Sequence, residues 1–421
     1  MSQQIPKVEF ITERAKLVAG REQTVDVLIR ITPPETSADA ARRRPQLNLS
    51  IVLDRSGSMG GEKIQRAREA TAYCIDQLLA SDCVSVVIFD DQIDVLIPSQ
   101  LATNKEALKS VLAHIHARSA TALHEAWVRG GIQVSEHLLS DGINRVLLIT
   151  DGLANSGLTN TDQIVTQTLG LAERGVSTST IGIGEDFNED LLMPMAEAGR
   201  GNAWHVTHAD DMQRIFAVEL EGLIAQVAHT VTLGLVPSDG IRLAGVLNDF
   251  ELNETGRYKL PNLQGGSPLD VVVQLRVPAQ RYGTRQHLLD LRLGYTPQEA
   301  KGAEVVKHSF EIDFDTEAAV EALPVNAEVG KAVQLMMNAR ARREAMAYMD
   351  RGDYVSARQV VSASLYATLA SPSYDEADVD LAQERVKLEE ALSTMDDRSQ
   401  DRMRRKNFAY DSYSRRTSRK S

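Results

Sequence analysis

A short run of oxygen-bearing residues lies between positions 54 and 60, where the sequence reads Asp-Arg-Ser-Gly-Ser-Met-Gly. Asp54, Ser56 and Ser58 occupy alternate positions, so one tight loop can present a carboxylate and two hydroxyls to a common point. Gly57 and Gly60 give the backbone the freedom to fold around them. The spacing therefore predicts a loop that binds a cation through oxygen ligands.

Two further oxygens follow later in the chain. Thr121 stands at the start of a helical pattern, and Asp151 ends an apolar run that reads LLITD. The three loops end up at one edge of a sheet if the runs before them are parallel strands. Hydroxyl and carboxylate oxygens with few charges suit Mg²⁺ (or Mn²⁺) and not Zn²⁺. We therefore predict a metal site formed by Asp54, Ser56, Ser58, Thr121 and Asp151.

The elements around these residues alternate between strand and helix patterns. Apolar strand-like runs are separated by stretches with helical periodicity, which predicts a mostly parallel, doubly wound α/β sheet covered on both faces. In such sheets ligands bind beyond the carboxyl ends of the strands. The predicted strands are 47–54, 83–90, 93–98, 144–151, 176–184 and 202–206.

The flanking sequences have a different period. Alternating stretches before position 34 and after position 228 predict antiparallel strands, and the chain then becomes rich in Ala, Leu, Glu and Arg. We predict an N-terminal hairpin that pairs with a later β-sandwich, with the α/β domain inserted between them. The expected parts are a hairpin at 1–34, the α/β domain at 46–227, the sandwich at 228–315, a helical hairpin at 316–398 and a disordered basic tail at 399–421.

The oxygen-bearing motifs, taken together in chain order, resemble the metal site of a known protein family. The run DRSGSM, the later Thr121 and the TDG that follows a strand are similar to the metal-ion-dependent adhesion site of von Willebrand factor A (VWA) and Rossmann-like integrin I-type domains. TDGLANSG resembles the TDGxxNxG run of bacterial members, although Ser119-Ala120 replaces the Gly-Gly that often precedes the Thr. The resemblance covers about 47–227. The flanking regions also resemble intracellular bacterial VWA proteins in architecture.

The resemblance implies roles for the five oxygens. Ser56, Ser58 and Thr121 would ligate the metal directly, and Asp54 and Asp151 would act largely through water. A Glu or Asp of a partner protein would complete the shell, and an ATPase or a kinase–phosphatase system is an expected source of that partner. The last VWA helix, at 210–227, is expected to shift when the site binds its ligand.

Composition narrows the remaining function classes. The net charge is -12, so the body should repel the phosphate backbones of nucleic acid. Aromatic residues make up 5% of the chain, which argues against a stacking platform for single-stranded nucleic acid. No apolar run is long enough to span a membrane, and residues 1–10 lack an apolar signal core. Two cysteines, Cys74 and Cys83, are too few for a disulfide framework. We therefore expect a cytoplasmic protein.

Other chemistries fit the residues less well. A haloacid dehalogenase-type nucleophile needs Asp-x-Asp, and Ser56 stands where the second Asp would be. A nucleophile elbow at Ser58 would need Gly two residues earlier. The sequence thus favours a metal-dependent interaction scaffold without enzymatic activity. A metal-dependent hydrolase and a nucleic-acid scaffold that uses the basic tail remain as alternatives. In that tail, Thr417 and Ser418 follow two arginines, a pattern that basophilic kinases accept, so phosphorylation there is a further hypothesis.

Overall fold

The structure is a computed structural model that describes residues 5–34, 44–118, 120–153, 155–298, 302–395 and 401–417. The chain divides into two compact units. One unit is Ser37–Gln226, and the other combines Met1–Thr36 with Val227–Ser421. The second unit is therefore assembled from the two ends of the sequence, with the first unit inserted between them.

Residues 5–34, the described N-terminal part of the discontinuous unit, contain three strands. β1 and β3 pair antiparallel in a register that places Phe10 opposite Ile29. Val27, Leu28 and Ile29 of β3 are all buried, which indicates that both faces of this strand are covered. These strands are β1 (Lys7–Thr12), β2 (Lys16–Val18) and β3 (Gln23–Thr32).

The inserted unit is a doubly wound α/β fold with a six-stranded sheet in the order β6-β5-β4-β7-β8-β9. All neighbouring strands are parallel except β5 and β6. Every residue of the central strands β4 and β7 is buried, which explains their nearly continuous apolar sequence. The strands are β4 (Leu47–Asp54), β5 (Cys83–Phe89), β6 (Ile93–Leu101), β7 (Ile143–Thr150), β8 (Ser177–Ile183) and β9 (Arg200–Val206).

Helices cover both faces of this sheet. Trp127 and Met195 pack with Val52 and Leu148 in one apolar cluster. Gly130 allows a close approach to the sheet, because a Cβ at this position would lie 2.3 Å from Val52 Cγ2. The helices are α1 (Glu62–Gln77), α2 (Lys105–Leu112), α3 (Leu123–Ser135), α4 (Thr161–Glu173), α5 (Glu189–Ala198) and α6 (Met212–Ile224), and short 3₁₀ turns span Gly57–Met59 and Ala209–Asp211.

A buried carboxylate ties the last of these helices to the sheet. Glu219 of α6 accepts hydrogen bonds from Ser179 Oγ at 2.6 Å, Asn202 Nδ2 at 2.5 Å and Trp204 Nε1 at 2.8 Å. Arg145 Nη1 lies 3.7 Å from the same carboxylate. A charged acceptor with this many donors fixes the axial position of α6 along strands β7, β8 and β9.

The remaining strands form a β-sandwich with β1 to β3. One sheet has the order β1-β3-β14-β11, and the other has the order β12-β10-β15-β16-β2 with β13 beside β10. Their inner faces share a core that includes Val27, Val273, Leu233 and Leu291. The strands are β10 (Gln226–Pro237), β11 (Arg242–Val246), β12 (Tyr258–Lys259), β13 (Leu263–Gln264), β14 (Leu269–Val277), β15 (Arg285–Pro297) and β16 (Glu304–Asp315).

Among the described residues, five helices follow the sandwich. Val329 and Met336 of the longest one pack on Leu28 and Val272, which lie on the outer face of the first sheet. The helical hairpin predicted over 316–398 corresponds in part to α8 and α9, with Gly352 at φ +77° in the turn between them, and α7 and α10 also lie within these bounds. The helices are α7 (Glu317–Glu321), α8 (Ala327–Asp350), α9 (Tyr354–Ala370), α10 (Val379–Thr394) and α11 (Asp401–Arg416).

The prediction of a disordered tail over 399–421 is wrong for its described part. Asp401–Arg416 is helical and carries the buried residue Phe408, which joins a cluster with Met349 and Leu388. Ion pairs hold its charged side chains, as between Lys387 and Asp411 at 2.5 Å. Ser418 and the last residues lie outside the described part of the chain. No helix among the described residues is long and apolar enough to cross a membrane.

Candidate metal centre

The loop after β4 carries the first three predicted ligands. Asp54 is the last residue of β4, and its Oδ1 accepts a hydrogen bond from the Ser56 backbone at 2.7 Å. Gly57–Met59 then makes a single 3₁₀ turn, and Gly61 with φ +75° leads into α1. The positive φ at Gly61 disfavours other residue types there, so the glycine lets the helix begin directly behind the loop.

The ligands from separate loops meet at the carboxyl edge of the sheet. Ser56 Oγ and Ser58 Oγ are 3.2 Å apart, and Ser58 Oγ donates to Asp151 Oδ1 at 2.7 Å. β4 and β7 are adjacent parallel strands, so Asp54 and Asp151 reach the same edge. The structure thus brings together residues separated by almost a hundred positions in the sequence.

Thr121 completes the set from a third loop. A Cβ built on Gly152 would lie 3.3 Å from Thr121 Oγ1 and 3.7 Å from Asp54 Oδ2, so both oxygens border the same small space. Glycine at 152 keeps that space open. All five predicted ligands therefore lie close together. Ser119, which with Ala120 replaces the Gly-Gly that often precedes this Thr in the family, lies outside the described residues.

Asn155 positions the Thr121 loop, a role that the sequence interpretation did not assign. Its Oδ1 accepts from the Thr121 backbone N–H at 3.0 Å, and its own N–H donates to the Thr121 carbonyl at 3.3 Å. Two reciprocal bonds fix the segment that follows β7 against the segment that precedes α3. The Asn of TDGLANSG was the signal that could have identified it.

The two carboxylates of the site are completely buried. Burial raises the pKa of Asp54 to about 6, and the negative charge of Asp151 adds to the increase. Hydrogen bonds from Thr150 and Ser56 oppose it, with Thr150 Oγ1 donating to Asp54 Oδ2 at 2.5 Å. Two anions in a low-dielectric site favour the approach of a cation.

A second group of charges braces the neighbouring loops. Asp90, which follows β5, accepts from Arg118 at 2.5 Å and lies 3.4 Å from Arg55. Its backbone carbonyl accepts from Ala122 N–H at 2.8 Å. Burial acts to raise the pKa of Asp90, but the Arg118 and Gln92 hydrogen bonds and the Arg55 charge outweigh it and lower the pKa. Asp90 therefore holds the Thr121 loop and does not join the five oxygens.

The donor set fits a hard divalent cation. It consists of three hydroxyls and two carboxylates, and these oxygens suit Mg²⁺ or Mn²⁺. Within the described residues, no group of three or more His, Cys, Asp or Glu side chains is placed to hold a metal.

The α/β unit is similar in sequence to known proteins. Residues 48–218 match the family model of the von Willebrand factor type A domain. An uncharacterized protein of Synechocystis is 28% identical over 188 residues, which cover 45% of this chain and 44% of that protein. The chain spans less than half the length of the curated relatives it matches. The sequence similarity therefore concerns the α/β unit.

Solved structures extend the likeness to the whole fold. A von Willebrand factor type A protein from Catenulispora acidiphila superposes with a TM-score of 0.66 at 18% identity, over 94% of this chain and 90% of that one. The ArnB paralog VWA2 from Sulfolobus acidocaldarius gives a TM-score of 0.55 at 17% identity, over 98% of both chains. The combination of an α/β unit with flanking strands and helices thus recurs in these proteins.

Proposed function

Because residues 48–218 form a von Willebrand factor type A domain, we propose that this chain binds a partner protein through a divalent cation held at the carboxyl edge of its α/β sheet. Asp54, Ser56, Ser58, Thr121 and Asp151 would hold Mg²⁺ or Mn²⁺. The cation would supply a positive charge to which a carboxylate can bind. The partner would provide that carboxylate from an exposed Glu or Asp.

The convergence of five oxygens around two buried carboxylates carries this proposal. Ser58 Oγ and Asp151 Oδ1 are in contact at 2.7 Å, although they come from different loops. Burial raises the pKa of Asp54 to about 6, and the negative charge of Asp151 raises it further. A bound cation would compensate this charge. Three neutral hydroxyls in the ligand set would leave the cation with positive charge for an external anion.

A binding role is favoured over a catalytic one. A metal-dependent hydrolase needs a general base within reach of an attacking water. Asp54 and Asp151 already accept hydrogen bonds from Thr150, Ser56 and Ser58. In the proposed site both carboxylates also hold the cation, and we propose that the site does not perform catalysis.

The nucleic-acid alternative loses support from the C-terminal helix. Arg405 pairs with Asp350 at 2.8 Å, and Arg415 pairs with Asp380 at 3.1 Å. These cations neutralise acidic residues of the same unit, so they are not free to bind phosphates. We propose a protein partner instead, and a subunit of an ATPase or a kinase–phosphatase system is the class to test first.

Cys74 and Cys83 are free and buried, which suits the reducing cytoplasm.

Isothermal titration of Mg²⁺ and Mn²⁺ into the full chain tests the metal site. We expect wild type to bind and Ser58→Ala to bind at least tenfold more weakly, because one hydroxyl ligand is lost. Asp141→Asn, which removes an exposed carboxylate from another loop, is the matched control and should leave binding unchanged. Absence of binding in wild type, or equal affinity in Ser58→Ala, would contradict the proposal.

The partner is tested by the same variants. Wild-type chain with Mg²⁺ should retain a partner that is released by EDTA and is not retained by Ser58→Ala. Replacing the partner's contacting Glu or Asp by its amide should abolish retention. A partner that is retained equally in EDTA would show that the interaction does not use the cation.

A further inference from the structure

One cation of the protein contacts a proposed ligand of the site. Lys63 Nζ lies 2.5 Å from Asp151 Oδ2, and the lysine side chain is 30% exposed. It stands in the first turn of α1, directly behind the ligand loop. Its ammonium also borders the turn after β8, because a Cβ on Gly184 would lie 3.6 Å from Lys63 Nζ. α1 and this turn therefore hold the ammonium at the edge of the site.

The other basic residues nearby have different partners. Arg55 pairs with Asp94 at 2.5 Å, and Arg118 pairs with Asp90. In the part of the chain that the structure describes, Lys63 is the basic residue that forms an ion pair with one of the five ligands. Its charge therefore acts on the site more directly than the charge of either arginine.

The charges of the site make this contact important. Asp54 and Asp151 contribute two negative charges when both are ionised, and Lys63 contributes one positive charge. The sum is -1 without a divalent cation and +1 with one. Without Lys63 these sums would be -2 and zero. A cation binds more tightly to a more negative site, whereas an external carboxylate binds more tightly to a positive one.

We propose that Lys63 is a built-in counter-ion that weakens cation binding and keeps the loaded site positive, so that the site selects an acidic partner. This inference rests on the proposed function. It assigns to Lys63 the balance between the two binding steps. In the absence of the divalent cation, the same ammonium neutralises the buried Asp151 carboxylate and stabilises the fold.

Lys63→Met separates the charge from the packing, because methionine keeps much of the length of the lysine side chain. Lys63→Arg is the matched control, since it keeps the charge. We expect Mn²⁺ to bind Lys63→Met about tenfold or more tightly than wild type, and Lys63→Arg to stay within about threefold. In EDTA, Lys63→Met should have a lower Tm than wild type, because Asp151 loses its partner. Its gain in Tm on adding Mn²⁺ should be larger.

Acetate serves as the probe for the external carboxylate. Acetate that binds Mn²⁺ in the site displaces water and lowers the water-proton relaxation enhancement of the bound ion. The acetate concentration for half of this effect should be about tenfold higher in Lys63→Met than in wild type. Lys63→Arg should resemble wild type. Lys63→Gln repeats both titrations if the Met variant does not fold.

The possible outcomes distinguish this inference from the proposed function. Wild-type binding that is lost in Ser58→Ala, together with equal Mn²⁺ and acetate binding in Lys63→Met and wild type, would overturn the role of Lys63 and leave the metal site intact. Tighter Mn²⁺ binding together with weaker acetate binding in Lys63→Met than in wild type would support the inference. No binding in wild type or in any Lys63 variant would overturn both.

Discussion

Cation binding should release a proton from Asp54 at low pH. The folded-state pKa of this buried carboxyl is raised to about 6 from 3.8. A bound cation holds a neighbouring carboxyl in its ionised form, whether it binds the carboxyl directly or through water, so binding below pH 6 has to displace the proton of Asp54. Metal affinity and proton release are therefore linked through one residue.

The size of the effect follows from the raised pKa. At pH 5 about nine-tenths of the Asp54 carboxyls are protonated without the cation, and at pH 8 about one in a hundred. Apparent Mg²⁺ affinity should thus be about tenfold lower at pH 5 than at pH 8, with about 0.9 protons released per cation at pH 5 and almost none at pH 8.

The sign for stability is opposite to that of an ordinary salt-bridged carboxylate. The folded pKa of Asp54 lies above its value of 3.8 in an unperturbed chain. Its protonated form therefore adds stability that is fully present below about pH 4 and is lost as the pH rises through about 6. Mg²⁺ should restore stability above pH 6.

Titration calorimetry in buffers of different ionisation enthalpy counts the released protons. The observed enthalpy at pH 5 should vary with the buffer, whereas at pH 8 it should not. Circular dichroism at both pH values provides the control for folding. Equal affinity at pH 5 and pH 8, with no proton release at pH 5, would refute the reasoning that burial keeps Asp54 protonated.

Two further predictions concern buried charges. Glu219→Gln removes a carboxylate that accepts three hydrogen bonds and faces Arg145, so the α/β unit should lose about 2–4 kcal/mol and roughly 5–15 °C in Tm. Both tryptophans lie in this unit, so urea unfolding followed by Trp fluorescence measures the loss, and an unchanged midpoint would show that the network is dispensable. Arg342 and Glu384 form a completely buried ion pair at 2.6 Å. Arg342→Met or Glu384→Leu alone should lower the free energy of unfolding by about 3–5 kcal/mol. The free energy of unfolding of the double variant, measured by circular dichroism, should be within about 1 kcal/mol of that of wild type, or higher. A double variant as unstable as the sum of the single variants would contradict this expectation.

The α/β unit was predictable because its physics is local and periodic. The central strands β4 and β7 are buried on both faces, and their sequences LNLSIVLD and INRVLLIT are correspondingly apolar at most positions. Oxygen-bearing residues at the carboxyl ends of these strands then had to share one edge of the sheet. The shared position of these oxygens therefore follows from the parallel, adjacent arrangement of the strands.

The ion pairs around the site and along the C-terminal helix could not be predicted, because they join residues that are far apart in the sequence. Lys63 reaches Asp151 over 88 positions, and no local pattern indicates that pair. The C-terminal helix was missed for a related reason. Its charged sequence predicts solvation, but Lys387 and Asp350 on other helices neutralise Asp411 and Arg405. Charge alone does not show whether opposite charges are available nearby.

The discontinuous unit has a consequence for the order in which the protein folds during synthesis. β3 pairs with β14, and Gln274 donates to Asp26 although the two are 248 positions apart. β3 therefore waits for its partner until the ribosome has completed the whole inserted unit. The inserted unit ends with α6 at Ile224 and depends on contacts within its own sequence. It can fold while the sandwich is still half made, and the pairing of β3 with β14 then follows the folding of the inserted unit. During that interval β3 has β1 on one side and an open edge on the other. This edge is where a chaperone would be needed most.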